Sequence, residues 1–269
     1  MTENYFKNTV CVVTGSSSGI GASLTKKLIE RGVKVVIGGD IKESEYKNDN
    51  YVFKTLDVTN YNRFKEVIDE VIDKYGKIDL IFNNAGIAVT GEAHDIPLEV
   101  WKKILDVDLY GVIYGTRIAY DYMIKQGFGH IVNISSVAGF FPIPLEAPYV
   151  VSKFGVLGLS LVMRVEGALK GVKVSVVCPG LVNTPIFLSP SYNVDLKKYA
   201  EAVSKVLAQI ATPDECAEVI LKGVAENKPI ITVTEPAKWM WYLSRINPEE
   251  MIEKTIDEYS KILPLVKST

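Results

Sequence analysis

The chain has 269 residues, 48% of them hydrophobic, and a formal net charge of -2. That length supports one substantial core with a small elaboration, and a nearly balanced charge without a basic run excludes nucleic acid as the main partner. MTENYFKN at the start lacks a charged region followed by an apolar one, and no apolar run approaches membrane-span length, so the expectation is a cytoplasmic protein without membrane contact. Cys11, Cys178 and Cys216 fall on strand, strand and helix and form no close pair, which reads as reduced and structural. His94 and His130 are the only histidines, each expected in a loop or at a strand edge, so no metal site is expected.

Taken along the chain, Val10 to Gly21, VCVVTGSSSGIG, reads as a buried strand, a glycine-rich turn and a helix start. Gly15 allows the tight turn, Gly19 lets backbone approach a pyrophosphate, and Gly21 permits close packing of helix on strand. The helix runs through Leu24, Leu28 and Ile29 to a stop at Gly32. The next strand, Val33 to Ile37, leads to Asp40, which suits the ribose hydroxyls of a dinucleotide or, alternatively, a turn. A third strand, Tyr51 to Leu56, precedes Asp57 and a helix that starts near Thr59 as its cap. That helix places Phe64, Val67, Ile68, Val71 and Ile72 on one face and stops at Gly76. Further apolar strands are Ile78 to Phe82, His130 to Ile134, Val172 to Val177 and Ile230 to Val233. The alternation predicts an α/β fold, a Rossmann-like doubly wound parallel sheet in three α/β/α layers, as a single domain over 1–269. Burial of both sheet faces explains the continuous apolar strands.

Tyr149 and Lys153 are four residues apart, so a helix raises both from one face, and Pro148 suits that helix's first turn. A lysine ammonium stabilises a neighbouring phenolate and lowers the tyrosine pKa, which fits it to exchange a proton with an alcohol or carbonyl. In isolation the same spacing describes a half-buried ring beside a solvated charge.

Several motifs occur in order: Thr14-Gly15-x-x-x-Gly19-x-Gly21, then Asn83-Asn84-Ala85-Gly86, then Ser136 thirteen residues before Tyr149, then Tyr149-x-x-x-Lys153, then Pro179-Gly180 followed by Thr184. On these, the chain resembles the short-chain dehydrogenase/reductase family over nearly its whole length. The resemblance implies a cofactor held by Gly15, Ser17, Ser18, Gly19, Ile20 and Gly21 in the first loop. Asp40 would meet the ribose, Asp57 and Val58 the adenine, and Asn84, Ala85 and Gly86 the cofactor's flank. Pro179, Gly180, Val182 and Thr184 would meet the nicotinamide end. It also implies that Ser136 hydrogen-bonds the substrate oxygen and Tyr149 gives or takes its proton. Lys153 would hold the ribose and stabilise the phenolate, and Asp108 would support the proton path. NAD is favoured over NADP by Asp40 and by the lack of Arg or Lys in Ser16 to Ser18, although counting from Thr14 puts the family's acidic position on Gly39.

Asp108 stands where the family normally has asparagine, and its charge near Lys153 is expected to raise the lysine pKa and weaken its effect on Tyr149. Pro185 to Ile210 lies where relatives carry a mobile substrate lid, and Phe140 to Leu145 adds a hydrophobic wall. These suit a lipophilic secondary alcohol or ketone (steroid, bile-acid-like or medium-chain) and equally suit packing against the core or a second subunit. The extension 236–269 holds an aromatic stretch, Ala237 to Ile246, and a charged helix from Pro248 toward Leu263. It fits a pocket cover, a subunit contact or a membrane surface, with burial in the protein or an oligomer preferred. The resemblance implies a homodimer or homotetramer. A reading from another class is a nucleotide-sensing binding protein in which Asp108 marks weakened catalysis.

Overall fold

Seven parallel strands occupy the seven apolar segments marked above: β1 (Val10–Thr14), β2 (Val35–Asp40), β3 (Tyr51–Thr55), β4 (Leu80–Asn83), β6 (Gly129–Ile134), β7 (Val172–Cys178) and β9 (Ile230–Thr232). The computed structural model describes residues 4–207 and 209–267, with side chains of all of these except 203–207. Residues 1–3, 268–269 and position 208 of the expected lid lie outside the described residues. The sheet order is β3-β2-β1-β4-β6-β7-β9.

Alternation along each strand sends successive side chains to opposite faces. Cys11 and Val13 join one apolar cluster with Leu24 and Leu28 of α1 (Gly19–Glu30) and Ile220 and Leu221 of α7 (Pro213–Ala225). Val10 and Val12 join the other with Phe64 and Ile68 of α2 (Tyr61–Tyr75) and Ile118 and Met123 of α4 (Gly111–Gln126). Burying both faces makes the strands largely apolar, as expected, with Lys54 in β3, His130 and Asn133 in β6 and Lys173 and Ser175 in β7 as the polar interruptions. The long helix α5 (Ala147–Ala168) packs along β7, with Pro148 in its first turn.

Local chemistry departs from expectation in four places. The helix α2 is capped by Asn60, whose side chain accepts from Arg63 N, and not by Thr59. Thr59 is engaged elsewhere, since its N–H and hydroxyl both donate to Asp57 Oδ1 at 2.9 and 2.8 Å. His130 is fully enclosed in the middle of the sheet, between the Tyr5 hydroxyl and Ser175 Oγ at 2.8 Å each, and not at a strand edge. His94 is exposed, as a loop residue. By length and composition α5, with 22 residues, could cross a membrane, contrary to the expectation that no run is long enough; it is the helix that covers β7 and carries Tyr149. Finally, β2 starts two residues later and ends three later than the segment Val33 to Ile37, so Asp40 is its last residue.

The three cysteines are free and buried, in β1, β7 and α7. Burial pushes each thiol up to about 12, so none is a ready thiolate.

Two further groups sit at the open end of the sheet. A small parallel pair, β5 (Thr90–Gly91) with β8 (Ser191–Tyr192), joins the segment after β4 to the segment after β7. Helices α3 (Leu98–Leu105), α6 (Leu196–Leu207), α8 (Glu235–Ile246) and α9 (Pro248–Val266) complete the fold. Between α3 and α4 the turn widens into a π-helical stretch, Asp106–Tyr110, that carries Asp108. Asn247 caps α9 by accepting from Glu250 N, and Pro248 begins it.

Candidate active site

The chain steps from β1 outward to β3 and then crosses back to β4, so the strand order reverses between β1 and β4. In such sheets the crevice beyond the carboxyl ends of the strands, at this switch, takes the ligand. A cavity of about 1650 Å³ opens there.

The loop after β1 forms its floor. Gly15 has φ +65°, and a Cβ on it would come within 2.9 Å of Ala85 Cα. Thr14 and Asn84 lock this loop to the end of β4: Thr14 Oγ1 accepts Asn84 N at 2.9 Å and Ala85 N at 3.1 Å, while Asn84 Nδ2 donates to Thr14 O at 3.0 Å. Gly21 lies beneath the floor, not on it, because a Cβ there would stand 2.0 Å from Gly15 O. Ser18 precedes α1 without a side-chain cap bond, leaving the helix N-terminus directed at the cavity with Ser18, Gly19 and Ile20 lining it. Unpaired N–H groups in that position suit an anionic phosphate.

Asp40 lines the same cavity and accepts Ser17 N at 3.0 Å and Lys42 N at 3.1 Å. Thr14 pairs with Gly39 across the sheet, so Asp40 reaches the cavity because β2 continues one residue further. Ser17 does not line the cavity; its hydroxyl donates to Lys42 O at 2.6 Å. Asp57, Val58, Asn84, Ala85 and Gly86 line the walls from β3 and β4. Pro179, Gly180, Val182 and Thr184 close the side beyond β7, and Gly19 faces Thr184 across the opening.

Ser136 leaves β6, and Tyr149 and Lys153 rise from α5 into the cavity. The Lys153 Nζ lies 5.2 Å from the Tyr149 ring centroid and donates to Ile134 O at 3.4 Å. Asp108 is enclosed behind the cavity wall, its Oδ2 3.0 Å from Lys153 Nζ and its Oδ1 accepting Ile87 N at 2.8 Å. Among the described residues Oδ2 has no aligned donor, so its contact with the ammonium is chiefly Coulombic.

Burial raises the Tyr149 pKa and Asp108 raises it further, while Lys153 and the Ser136 hydroxyl pull it down. The net result lies above the ordinary phenol value, opposite to the expectation that Lys153 brings it below. Burial opposes the Lys153 ammonium, yet Asp108 and Tyr149 together hold its pKa above the ordinary value, as expected from Asp108. Burial also raises Asp108, against Lys153 and the Ile87 N–H.

The outer part of the cavity is largely apolar, with Lys254 and Glu258 among the few charged groups that line it. Phe141, Ile143, Pro144 and Leu145 form one wall, Ile186 and Phe187 another, and Met240, Leu243, Met251 and Ile262 from the C-terminal helices roof it. Of the three roles open to the extension, its inner face thus meets the cavity, with half-exposed Trp239 at the cavity's edge, while Tyr242 stays exposed away from it. Lys267 and Tyr259 both reach Glu92, tying α9 to the segment after β5.

Glu146 and Tyr199 are among the lining residues that the sequence did not mark. Glu146 sits one turn before Tyr149 and takes a hydrogen bond from Tyr199 of α6 at 3.1 Å. The spacing of three to Tyr149 was a usable signal for Glu146; nothing local marks Tyr199, which lies 53 residues away.

Residues 9–192 match the family model described as short chain dehydrogenase. The 3-oxoacyl-[acyl-carrier-protein] reductase FabG of Thermotoga maritima is 36% identical over 236 residues, 83% of this chain and 93% of that protein. The 15-hydroxyprostaglandin dehydrogenase [NAD(+)] of Rattus norvegicus is 32% identical over 216 residues, 75% of this chain and 78% of its own length. In fold, a short chain dehydrogenase from Burkholderia cenocepacia in complex with NADP superposes with a TM-score of 0.80 at 20% identity, covering 93% of this chain and 98% of the other. With a glycine loop at the switch point and a Ser, Tyr and Lys gathered over it, the matched segment leaves one assignment: the chain belongs to the short-chain dehydrogenase family, NAD(P)-dependent oxidoreductases that act on CH–OH groups.

Proposed function

We propose that the chain interconverts a lipophilic secondary alcohol and its ketone, with NAD preferred over NADP. The observation that carries this reading is the convergence of Ser136, Tyr149 and Lys153 with the uncapped α1 N-terminus on one cavity whose outer part is largely apolar. The cradle fits a dinucleotide: Gly15 and Gly19 have positive φ and no Cβ, α1 points its free N–H groups inward, and Asp40 stands at the end of β2. Asp40 supports NAD because a carboxylate accepts from ribose hydroxyls and repels a phosphate on the same sugar. When bound, the nicotinamide supplies or accepts the hydride.

In this reading Ser136 holds the substrate oxygen by donating its hydroxyl, and Tyr149 Oη gives or takes the proton on that oxygen. Lys153 keeps a positive charge beside the ring and favours the phenolate, while Asp108 holds the ammonium in place. Gly15, Ser17 to Gly21, Asp57, Val58, Asn84 to Gly86 and Pro179 to Thr184 frame the cofactor half, with Ser17 and Gly21 acting through loop geometry.

Segment 185–210 serves as the substrate lid, and 236–269 as its roof, within one domain. A lipophilic substrate suits the walls from Phe141 to Leu145 and from Met240 to Met251; the two relatives act, by name, on 3-oxoacyl groups and on a hydroxyprostaglandin. Val151, Phe154, Val162 and Val165 leave an apolar face of α5 exposed, which supports a homodimer or homotetramer formed through that helix. The proposed setting is the cytoplasm, where the buried free thiols stay reduced.

Titration with NADH and NADPH, followed by turnover on lipophilic secondary alcohols and ketones including steroids, tests the reading. Tighter NADH binding with turnover supports it. Binding without turnover across the panel would favour a nucleotide-sensing protein, the reading that the Asp108 to Lys153 pair supports. Tighter NADPH binding would remove the role given to Asp40.

A further inference from the structure

Glu146 is a carboxyl group outside the Ser136, Tyr149 and Lys153 set, held at the cavity wall beside the apolar stretch Phe141 to Leu145. It precedes α5 but does not cap it: its side chain accepts no bond from the first turn. Its hydrogen-bond partner is the Tyr199 hydroxyl, which also lies 3.3 Å from Pro144 O. Among the described residues no lysine or arginine forms an ion pair with it.

The backbone before it explains the pose. Leu145 has φ +67°, a region that residues with a Cβ rarely enter and that clusters at functional sites. Its side chain is wedged with Val194 and Val266, beside Tyr199 and Tyr259, and its carbonyl accepts Gly91 N at 2.7 Å. The lid, the tail and β5 therefore hold the turn that keeps Glu146 at the cavity wall. Burial pushes its pKa up to about 7, with Tyr199 pulling the other way. The titratable groups around it are Tyr199 from α6, with Tyr259 of α9 behind it, and Tyr149 on its own helix, with Lys153 and Asp108 beyond. Lys254 and Glu258 of α9 line the same cavity.

A carboxyl group set into an apolar stretch of a pocket wall fixes ligand orientation and selects by charge. We propose that Glu146 selects the substrate: it accepts a hydrogen bond from a hydroxyl or amino group beside the reacting carbon and rejects a carboxylate at that place. This deepens the hydride-transfer reading and rests on it.

The full-length protein is assayed with NAD and three alcohols of one chain length, octan-2-ol, octane-1,2-diol and 2-hydroxyoctanoate, at pH 6 and pH 8.5. Ratios of kcat/KM taken at one pH cancel effects of Tyr149 and of the cofactor that the substrates share. The expected diol-to-acid ratio rises at least about tenfold from pH 6 to pH 8.5, as Glu146 ionises, and Glu146→Gln abolishes that rise. A ratio independent of pH in the wild type, or unchanged in Glu146→Gln, would overturn the proposal while leaving the hydride-transfer reading intact. Tyr199→Phe covers the case in which Glu146→Gln does not fold. It removes a bond to the ionised carboxylate, so the pH at which the ratio changes moves up, and an unmoved midpoint counts against the proposal. If the wild type turns over none of the three, the hydride-transfer reading fails for this class. Selection is then read from thermal shifts with the diol and the acid at pH 8.5, and equal shifts would overturn it.

Discussion

Asp108 and Lys153, 45 positions apart in the chain, form an ion pair at 3.0 Å in which both side chains are almost fully enclosed. The pair sets how strongly the lysine acts on Tyr149, because Asp108 returns negative charge to the place where the phenolate must form. In Asp108→Asn, Oδ1 can still accept Ile87 N, and the charge is gone. Alcohol oxidation requires the ionised tyrosine, so its pH–rate profile is expected to move to lower pH by about one unit, tenfold in rate on the acid limb. A profile that stays in place or moves to higher pH would show that Asp108 does not govern Tyr149. The variant also strands a buried ammonium, with an expected stability loss of about 3 kcal/mol in thermal melts without cofactor.

Tyr149→Phe keeps the ring that lies beside Lys153 and removes only the hydroxyl. Turnover is expected to fall by about 10³-fold or more, because proton transfer loses its donor, while NADH affinity stays within a few-fold. Stopped-flow binding with steady-state rates checks both, and near-wild-type turnover would take Tyr149 out of the mechanism.

Asp40 already accepts two backbone N–H groups, from Ser17 and Lys42, yet a carboxylate has about four acceptor sites and room remains for ribose hydroxyls. Asp40→Ser removes the charge that opposes a 2′-phosphate. The NADP-to-NAD ratio of kcat/KM is expected to rise about tenfold or more, equivalent to about 1.4 kcal/mol. A ratio that does not move would place cofactor choice elsewhere in the loop.

His130 is held neutral, its pKa lowered to about 3 by burial and by Lys173 and Arg164. Unfolding frees it to take a proton near its ordinary value of about 6.5. Between those values the unfolded state binds more protons, so stability falls as pH drops below about 6.5, by up to about 1.4 kcal/mol per unit. Denaturant midpoints at pH 7.5 and pH 5 are expected to differ less in His130→Gln than in the wild type. The variant is less stable at pH 7.5, because it disturbs the bonds to Tyr5 and Ser175. Equal pH dependence in both proteins would show that other groups govern acid lability.

The seven strands were legible because a sheet covered on both faces needs apolar residues at most positions, and such runs end visibly at glycine or polar residues. The glycine loop and the Ser136, Tyr149 and Lys153 pattern were legible for a related reason: each depends on geometry that a few neighbouring residues impose. Caps were less so; Thr59 and Asn60 are both good caps by type, and only the Asx turn at Asp57 decides between them.

The order of elements and the residue types at the carboxyl ends of the strands follow from the amino-acid order alone. The tertiary structure decided their electrostatic state. Whether Lys153 lowers Tyr149 depends on how much water the folded chain removes and on Asp108 arriving through the π-helical turn before α4. The same holds for Glu146, whose pairing with Tyr199 and burial arise only when the segment after β7 and the C-terminal helices close on the sheet. Backbone preference acts over a few residues, whereas desolvation is a property of everything packed around a group, and no local pattern encodes it.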